Sequence, residues 1–258
     1  MFVNGTADIA HAALHMAVLA AWIVGGWFIA GFIEPVFWLV GVGVGLNSIV
    51  SDVEVAGELI AYREFVAPGL IAVAAMNGAA FDSTFNFFYK LHYLKLYDAM
   101  LATPLTLGNI VVGEVSWSVM RSSLYACVFL ALTALLGLIS SPLAILIVPV
   151  AALTGFCISA IGVLSTTFIR NWNDFDYLSL SIQLLFLCSG TFFPVTVYPS
   201  WGQVLVNFTP LYHSVELCRH LALGVVGLID FFHLGVLVGA TIGFGMWAHN
   251  RLETKLLD

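Results

Sequence analysis

The sequence predicts an all-α integral membrane protein with room for six transmembrane helices, and three observations predict it. The 258 residues are 61% hydrophobic and only 9% charged, against about 25% charged in an ordinary soluble domain. Mean hydropathy is +1.02. Long apolar runs recur along the chain, and each helical crossing needs about 20 such residues. The length therefore accommodates six crossings with short loops and leaves nothing for a soluble catalytic domain of about 100 residues. Residues 1–258 read as a single transmembrane domain. The net charge is −7 with only 8 Lys and Arg, too few for the phosphate-tracking surface that nucleic acid requires. Cys127, Cys157, Cys188 and Cys218 are scattered, with neither CxxC spacing nor a disulfide framework.

The first Lys or Arg is Arg63, so no charged leader region precedes the first apolar stretch, and the hydrophobic segments read as permanent spans. Residues 1–30 form an interfacial or an extra helix: 9–33 either crosses the bilayer or lies at its interface and feeds a span over 31–47. One crossing is preferred. Gly41, Gly43 and Gly45 let another backbone come close there. Asp52, Glu54, Glu58 and Glu64 against Arg63 read as a water-exposed loop. The next crossing, 65–88, carries Asn77, Asp82 and Asn86, groups that are costly against lipid and belong in the bundle interior or at the interface. Lys90, His92 and Lys95 form a basic flank.

Residues 94–113 are amphipathic and broken at Thr103 and Pro104, since proline disfavours helix at the residue before it. They read as a loop helix, a turn and the start of a span. The third crossing, 110–137, ends at Ser140, Ser141 and Pro142, and the short turn makes it an antiparallel hairpin with the fourth, 143–169. After the polar loop 170–176 comes a fifth crossing, 177–193, of barely sufficient length. Residues 194–226 are too polar and proline-broken for a regular span, and the last crossing occupies 228–248.

Lys90, Lys95, Arg121, Arg170, Arg251 and Lys255 fall on one side of this arrangement, and Arg63 and Arg219 on the other, six against two. The positive-inside rule then puts both termini, 90–113 and 170–176 in the cytoplasm and 194–226 outside. A seventh crossing by 9–33 moves only the N-terminus.

No GxxxxGK[ST] run exists, so any use of ATP falls to a partner. Driven transport then needs either a cytoplasmic docking element or buried coupling carboxylates. Residues 94–113 are the candidate for the first, with a plain interfacial helix as the alternative; Asp82 and Glu34 are the candidates for the second, with capped or interfacial carboxylates as the alternative. Glu114 and Arg121 lie seven residues apart on one helical face, within reach of a pair directly or through Ser118. His213, Glu216 and His220 share a face at i, i+3 and i+7. Without an HExxH spacing or a second acidic cluster, no metal site is predicted, and Glu216 is expected to pair with Arg219 or His220. GxSxG and a Ser/His/Asp set are absent, so no catalytic residue is predicted.

Five stretches in order, EPVFWLVGVGVGL, REFVAPGLIAVAAM, LATPLTLGNIVVGE, SGTFFPVTVYPSW and NFTPLYHSVELCRHLALG, resemble the permease subunits of type 2 ABC exporters. The similarity runs from about Glu34 to the C-terminus, nearest the branch of nodulation-factor (lipo-oligosaccharide) and drug-resistance export permeases. The resemblance implies six helices per subunit, a second permease copy that is identical or a paralogue, and two copies of a separate ATPase that bind ATP and Mg. The chain itself holds no cofactor. It implies that 94–114 is the coupling segment, with Tyr97, Asp98, Thr103, Pro104, Leu105 and Glu114 touching or orienting the ATPase. It also implies that 194–226 is a re-entrant outer hairpin before the last helix, gated by Phe192, Phe193, Pro194, Trp201, Pro210, His213, Glu216 and Arg219. Family members usually begin with a basic amphipathic helix, which residues 1–30 do not match.

The first functional expectation is thus an ATP-driven exporter subunit in the plasma (inner) membrane with a cytoplasmic C-terminus. It is in contact with lipid and moves an amphiphile outward: a lipid-linked glycan, a lipo-oligosaccharide or a hydrophobic drug. Phe37, Trp38, Phe81, Phe85 and Phe186 are the aromatic pathway candidates, with helix packing as their alternative role. Two other expectations compete. One is a metal-dependent membrane enzyme using the outer His/Glu face; the other is an ion-coupled carrier using Asp82.

Overall fold

Past Arg63 and Glu64 in its first turn, the run to Phe81 has Asn77 as its one polar side chain and is rich in Ala and Gly, and a helix with so little polar face has to be buried nearly all round. A computed structural model describes residues 33–45, 50, 52–55 and 57–257, and it places this helix at the centre. In chain order the elements are α1 (Ile33–Val42), wound at its end as a π turn over Leu39–Val44, β1 (Val53–Val55), β2 (Glu58–Ile60) and α2 (Tyr62–Phe81). A π turn (Asp82–Asn86) joins α2 to α3 (Phe87–His92), followed by α4 (Leu96–Leu101) and α5 (Leu107–Leu135). A 3₁₀ turn (Pro142–Leu146) opens α6 (Ile147–Thr166), followed by α7 (Asp174–Leu187), α8 (Ser200–Asn207), α9 (Pro210–Leu223) and α10 (Leu228–Leu257).

Helices α5, α6 and α9 and the π-wound end of α1 surround α2, and α10 packs on α6 and α9. Every residue from Phe65 to Met76 is buried. Lipid removes the hydrophobic drive between helices, so contact has to come from close approach of small residues. A Cβ on Gly78 of α2 would lie 2.9 Å from Ser122 Cα of α5, and one on Gly155 of α6 would lie 2.7 Å from Ser122 Oγ. One on Gly162 of α6 would lie 2.8 Å from Ser83 Cβ. The hydroxyls at these contacts stay satisfied: Ser122 Oγ donates to the Ala151 carbonyl at 3.1 Å and Ser83 Oγ to that of Ala79 at 2.8 Å.

Local chemistry sets the helix ends. The Thr106 hydroxyl accepts from the Asn109 N–H at the start of α5, Ser141 caps the turn that Pro142 opens, and Pro210 occupies the first turn of α9, positions where each residue satisfies or omits an orphan N–H. Gly224 ends α9 at φ +79°, the left-handed cap that glycine adopts without cost.

Four described helices are long and apolar enough to cross a membrane: Tyr62–His92, Leu107–Leu135, Pro142–Thr166 and Leu228–Lys255. The segments read as the first and fifth crossings hold α1 and α7. The 14 residues of α7 span about 21 Å, short of the roughly 30 Å hydrocarbon core. This helix stops at Leu187 rather than running to Phe193, because the chain turns at Gly190, φ +74°, and Ser189 Oγ takes the Phe186 carbonyl at 2.7 Å. The acidic stretch expected as a loop contains an antiparallel hairpin, Val53 opposite Ile60 and Val55 opposite Glu58, with Gly57 at φ +88° in its turn. The alternatives for residues 1–30 and 9–32 lie outside the described residues.

Gly78→Ala has to push α2 and α5 apart and is expected to cost about 1–3 kcal/mol. Gly239→Ala on α10, where a Cβ meets nothing within 4 Å, is expected to be neutral or to stabilise by up to about 1 kcal/mol through helix propensity. Thermal unfolding of the two purified variants in detergent checks both.

Candidate functional site

Helices α2–α3 and α5 run antiparallel, and two ion pairs cross between them in opposite sequence order. Arg121 Nη1 donates to Asp82 Oδ1 at 3.0 Å. Lys90 Nζ donates to both Glu114 oxygens, at 2.8 and 2.9 Å. Glu114 and Arg121, which share a face of α5, thus each enter a cross-helix pair, the partner supplied by the neighbouring rod. Arg121 is held further by the Tyr125 hydroxyl, which accepts from Nε at 3.2 Å and Nη2 at 3.0 Å, and its guanidinium lies over the Phe81 and Tyr125 rings at 5.6 and 5.4 Å. Asp82 is 3% exposed, and a carboxylate so buried persists as a charge only when paired.

Arg121 stands at the wall of a cavity of about 660 Å³ between α2, α5 and α7. Phe81, Phe85 and Phe186 of the sequence-predicted set line it, joined by Trp172 and Phe175. Its polar groups are Asn77, Thr84, Asp176, Ser179, Gln183 and Glu34 besides Arg121, and Asn77 Nδ2 donates to Glu34 Oε2 at 3.3 Å. Trp38 is not among the lining residues; it packs edge-on to Phe186 at 5.7 Å and against Phe192 at 5.3 Å. Phe37 points outward from α1, 73% exposed. The sequence reading missed Trp172 and Gln183, although the first lies in the polar loop and the second is one of few polar residues in α7.

At the end of the rod, Lys95 enters α4 at φ 47°. Tyr97 is wholly buried, its ring 4.9 Å from Phe87, so it packs α4 against α3. Burial, then the Glu114 carboxylate, push its phenol above the ordinary tyrosine range. Asp98, Thr103, Pro104 and Leu105 are all exposed, and Thr103 Oγ1 donates to the Met100 carbonyl at 2.6 Å. These four make an exposed corner between α3 and α5, the two helices that the Lys90–Glu114 pair joins.

At the other end, Arg219 of α9 is 1% exposed. Its Nε donates to the Phe65 carbonyl at 3.3 Å, Nη2 to that of Gly190 at 2.8 Å and Nη1 to Glu216 Oε1 at 2.6 Å, with the Phe65 ring 3.9 Å beneath. It ties α9, α2 and the turn after α7 together. Beside it the Phe192 carbonyl accepts from Tyr62 Oη at 3.1 Å. Phe193 and Trp201 are exposed, Pro194 leads into a 3₁₀ turn and Pro210 starts α9.

His213, Glu216 and His220 do not converge. His213 Nε2 contacts the Asn207 carbonyl at 2.8 Å, which requires its proton there, leaving Nδ1 to accept from His233 Nδ1 at 2.7 Å. Glu216 meets Arg219 and, at 3.7 Å, His220 Nε2; His220 Nδ1 meets Asp230 Oδ1 at 2.6 Å. Among the described residues no group of three or more His, Cys, Asp or Glu is placed to hold a metal ion. Asp230 and His233 were invisible as partners because they come from α10, beyond the reach of helical spacing within α9.

Asp82→Ala removes a carboxylate partner from Arg121 and is expected to cost about 3 kcal/mol, whereas Asp82→Leu combined with Arg121→Met is expected to cost markedly less. Arg219→Lys is expected to destabilise by about 2 kcal/mol or more, since one ammonium cannot reach three acceptors in the guanidinium's fixed fork. Unfolding midpoints in detergent measure each.

Comparison with known proteins bears on the same segments. The ABC-2 type transporter family matches residues 13–223. Nodulation protein J of Rhizobium leguminosarum bv. viciae is 34% identical over 205 residues, covering 79% of this chain and 78% of that protein. Nodulation protein J of Sinorhizobium fredii is 34% identical over 187 residues, covering 72% and 70%. The inner membrane transport permease YadH of Escherichia coli is 23% identical over 186 residues, covering 71% and 72%. With four span-length helices among its described residues and a match across most of its length, the chain belongs to the ABC-2 type transporter family, as a membrane permease of an ABC transporter allied with the Nodulation protein J proteins.

Proposed function

We propose that the chain works with a second permease, identical or paralogous, and with two copies of an ABC ATPase, to move an amphiphile outward across the plasma (inner) membrane. The observation that carries this reading is mechanical continuity. A single rod, Tyr62–His92, bears Phe81 and Phe85 in the cavity wall, Lys90 in the clamp on Glu114, and Phe87 against Tyr97 of α4. A push on the exposed corner at Asp98, Thr103, Pro104 and Leu105 therefore reaches the cavity through packed side chains rather than through a loop. ATP and Mg are bound by the partner, whose closure supplies the push from the cytoplasmic side.

The cavity suits an amphiphile. Its rings offer apolar stacking area, while Arg121, Asn77 and Gln183 offer hydrogen bonds to hydroxyls and amides, a mixture expected of a site for a lipid-linked glycan, a lipo-oligosaccharide or a polar-tipped hydrophobic drug. The α8–α9 segment, read as a re-entrant outer hairpin, closes the pathway from outside; irregular backbone at that depth is tolerated because protein covers it. The carrier reading loses support because Asp82 is committed to Arg121, and the metal-enzyme reading because its three ligands turn to different partners.

Co-purification of the full chain with its ATPase tests the assembly: Asp98→Arg is expected to weaken the complex by about tenfold or more through a reversed charge. In inside-out vesicles the complex is expected to accumulate a lipo-oligosaccharide or a hydrophobic dye only with Mg-ATP. Ser179→Trp, which fills the cavity from α7, is expected to abolish uptake while leaving ATPase association intact. Uptake that survives ATP depletion overturns the reading.

A further inference from the structure

Three spans end at one place. The rod Tyr62–His92, the helix Pro142–Thr166 and the helix Leu228–Lys255 terminate together, and His92, Thr167, Arg170, Arg251, Thr254 and Lys255 line a single pocket of about 400 Å³ between their ends. A pocket at the common end of three apolar helices lies where hydrocarbon gives way to headgroups, whichever side of the membrane that is.

Its charge has one sign. Arg170, Arg251 and Lys255 are three of only 8 Lys and Arg in the chain, and among the described residues none of them forms a side-chain ion pair. Of the described carboxylates close in sequence, Asp174 is engaged chiefly by the backbone N–H groups of Arg170 and Asn171, at 2.9 and 3.1 Å, and attracts the Arg170 side chain only through space, while Glu253, two residues from both Arg251 and Lys255, lies on the opposite side of α10. Lys255 Nζ is drawn in by the Thr167 carbonyl at 3.2 Å. On the apolar side the Arg251 guanidinium lies 4.7 Å over the Phe168 ring, and Phe168 meets Trp247 edge-on at 6.3 Å. Both rings are about half exposed. Three cations with no side-chain ion pair among the described residues, beside an aromatic rim at the end of apolar helices, match the chemistry of a phosphate that has acyl chains attached.

We propose that this pocket binds the phosphate of an anionic phospholipid, held by Arg170, Arg251 and Lys255, with the glycerol and upper acyl chain along Phe168 and Trp247. A lipid seated there cross-links the ends of α3, α6 and α10. The proposal does not depend on the exporter reading, since lipid retention needs neither the ATPase nor a substrate.

The test is native mass spectrometry of the full detergent-purified chain titrated with phosphatidylglycerol, phosphatidylcholine or inorganic phosphate. Wild type is expected to retain phosphatidylglycerol in preference to phosphatidylcholine. Arg170→Gln with Arg251→Gln is expected to lower that retention by about tenfold or more, at roughly 1 kcal/mol per basic residue. Arg170→Lys with Arg251→Lys should keep most of it, and Lys95→Gln, a cation removed elsewhere, should keep all of it. Absence of a phosphatidylglycerol preference in wild type overturns the proposal without any variant. So does full displacement of the lipid by inorganic phosphate, which marks a free-phosphate site. Loss of a co-purifying ATPase in the double Gln variant with lipid retention unchanged makes the pocket a protein contact and equally overturns it.

Discussion

The arrangement depends on how closely α2 can approach α5 and α6 when lipid gives apolar side chains no reason to leave it. Ser122 is the hinge of that approach: it faces Gly78 of α2 and Gly155 of α6 at once, and its hydroxyl is absorbed by the Ala151 carbonyl. The position of Ser122 decides its neighbour. With Ser122 turned into the three-helix contact, Arg121 is rotated about 100° from it, toward Asp82 and the cavity. The polar group in the wall is thus a consequence of the small-residue contact, and loosening one moves the other.

The same rod gives the molecule its stiffness along the membrane normal. From Tyr62 to His92 the helical winding is unbroken except for the π turn at Asp82–Asn86, where Ser83 and Thr84 hydroxyls occupy carbonyls four residues back. Such turns are local departures from the α-helical hydrogen-bond ladder, and this one sits at the ion pair and the cavity. Above it Arg219 fixes α9 to the Phe65 carbonyl; below it Lys90 fixes α5. The rod is clamped at both ends and re-wound in the middle.

Much of this is written in short-range sequence. The four long helices follow from uninterrupted apolar runs, and the α5–α6 hairpin from Ser141 and Pro142. The early end of α7 is less legible, because residues 184–193 stay apolar while Gly190 turns the backbone, and composition sees no difference between the two. The strands at Val53–Val55 and Glu58–Ile60 were hidden by their acidic residues, although the apolar alternation around Gly57 is a hairpin signal. In the site, Phe81, Phe85 and Phe186 were legible as candidate pathway rings, and they do line one cavity, whereas Phe37 and Trp38 from the same set do not. The partners of Arg121, Glu114 and His213 were out of reach because helical spacing compares residues within one helix, whereas Asp82, Lys90 and His233 come from neighbouring ones.

The distribution of cations carries one further step. Inside the bundle each charge described here is consumed: Arg121 by Asp82 and Tyr125, Arg219 by Glu216 and two carbonyls. Burial enforces that, because an isolated charge in a low-dielectric interior is prohibitively costly. At the common end of α3, α6 and α10 the constraint lapses, and Arg170 and Arg251 stand beside Lys255 with no side-chain ion pair among the described residues. Their mutual repulsion is tolerable only where water or an anion screens it. A chain with so few basic residues gathers three of them at one helix boundary, and the phospholipid proposed for that pocket would bring there the negative charge that the bundle interior supplies from its own carboxylates.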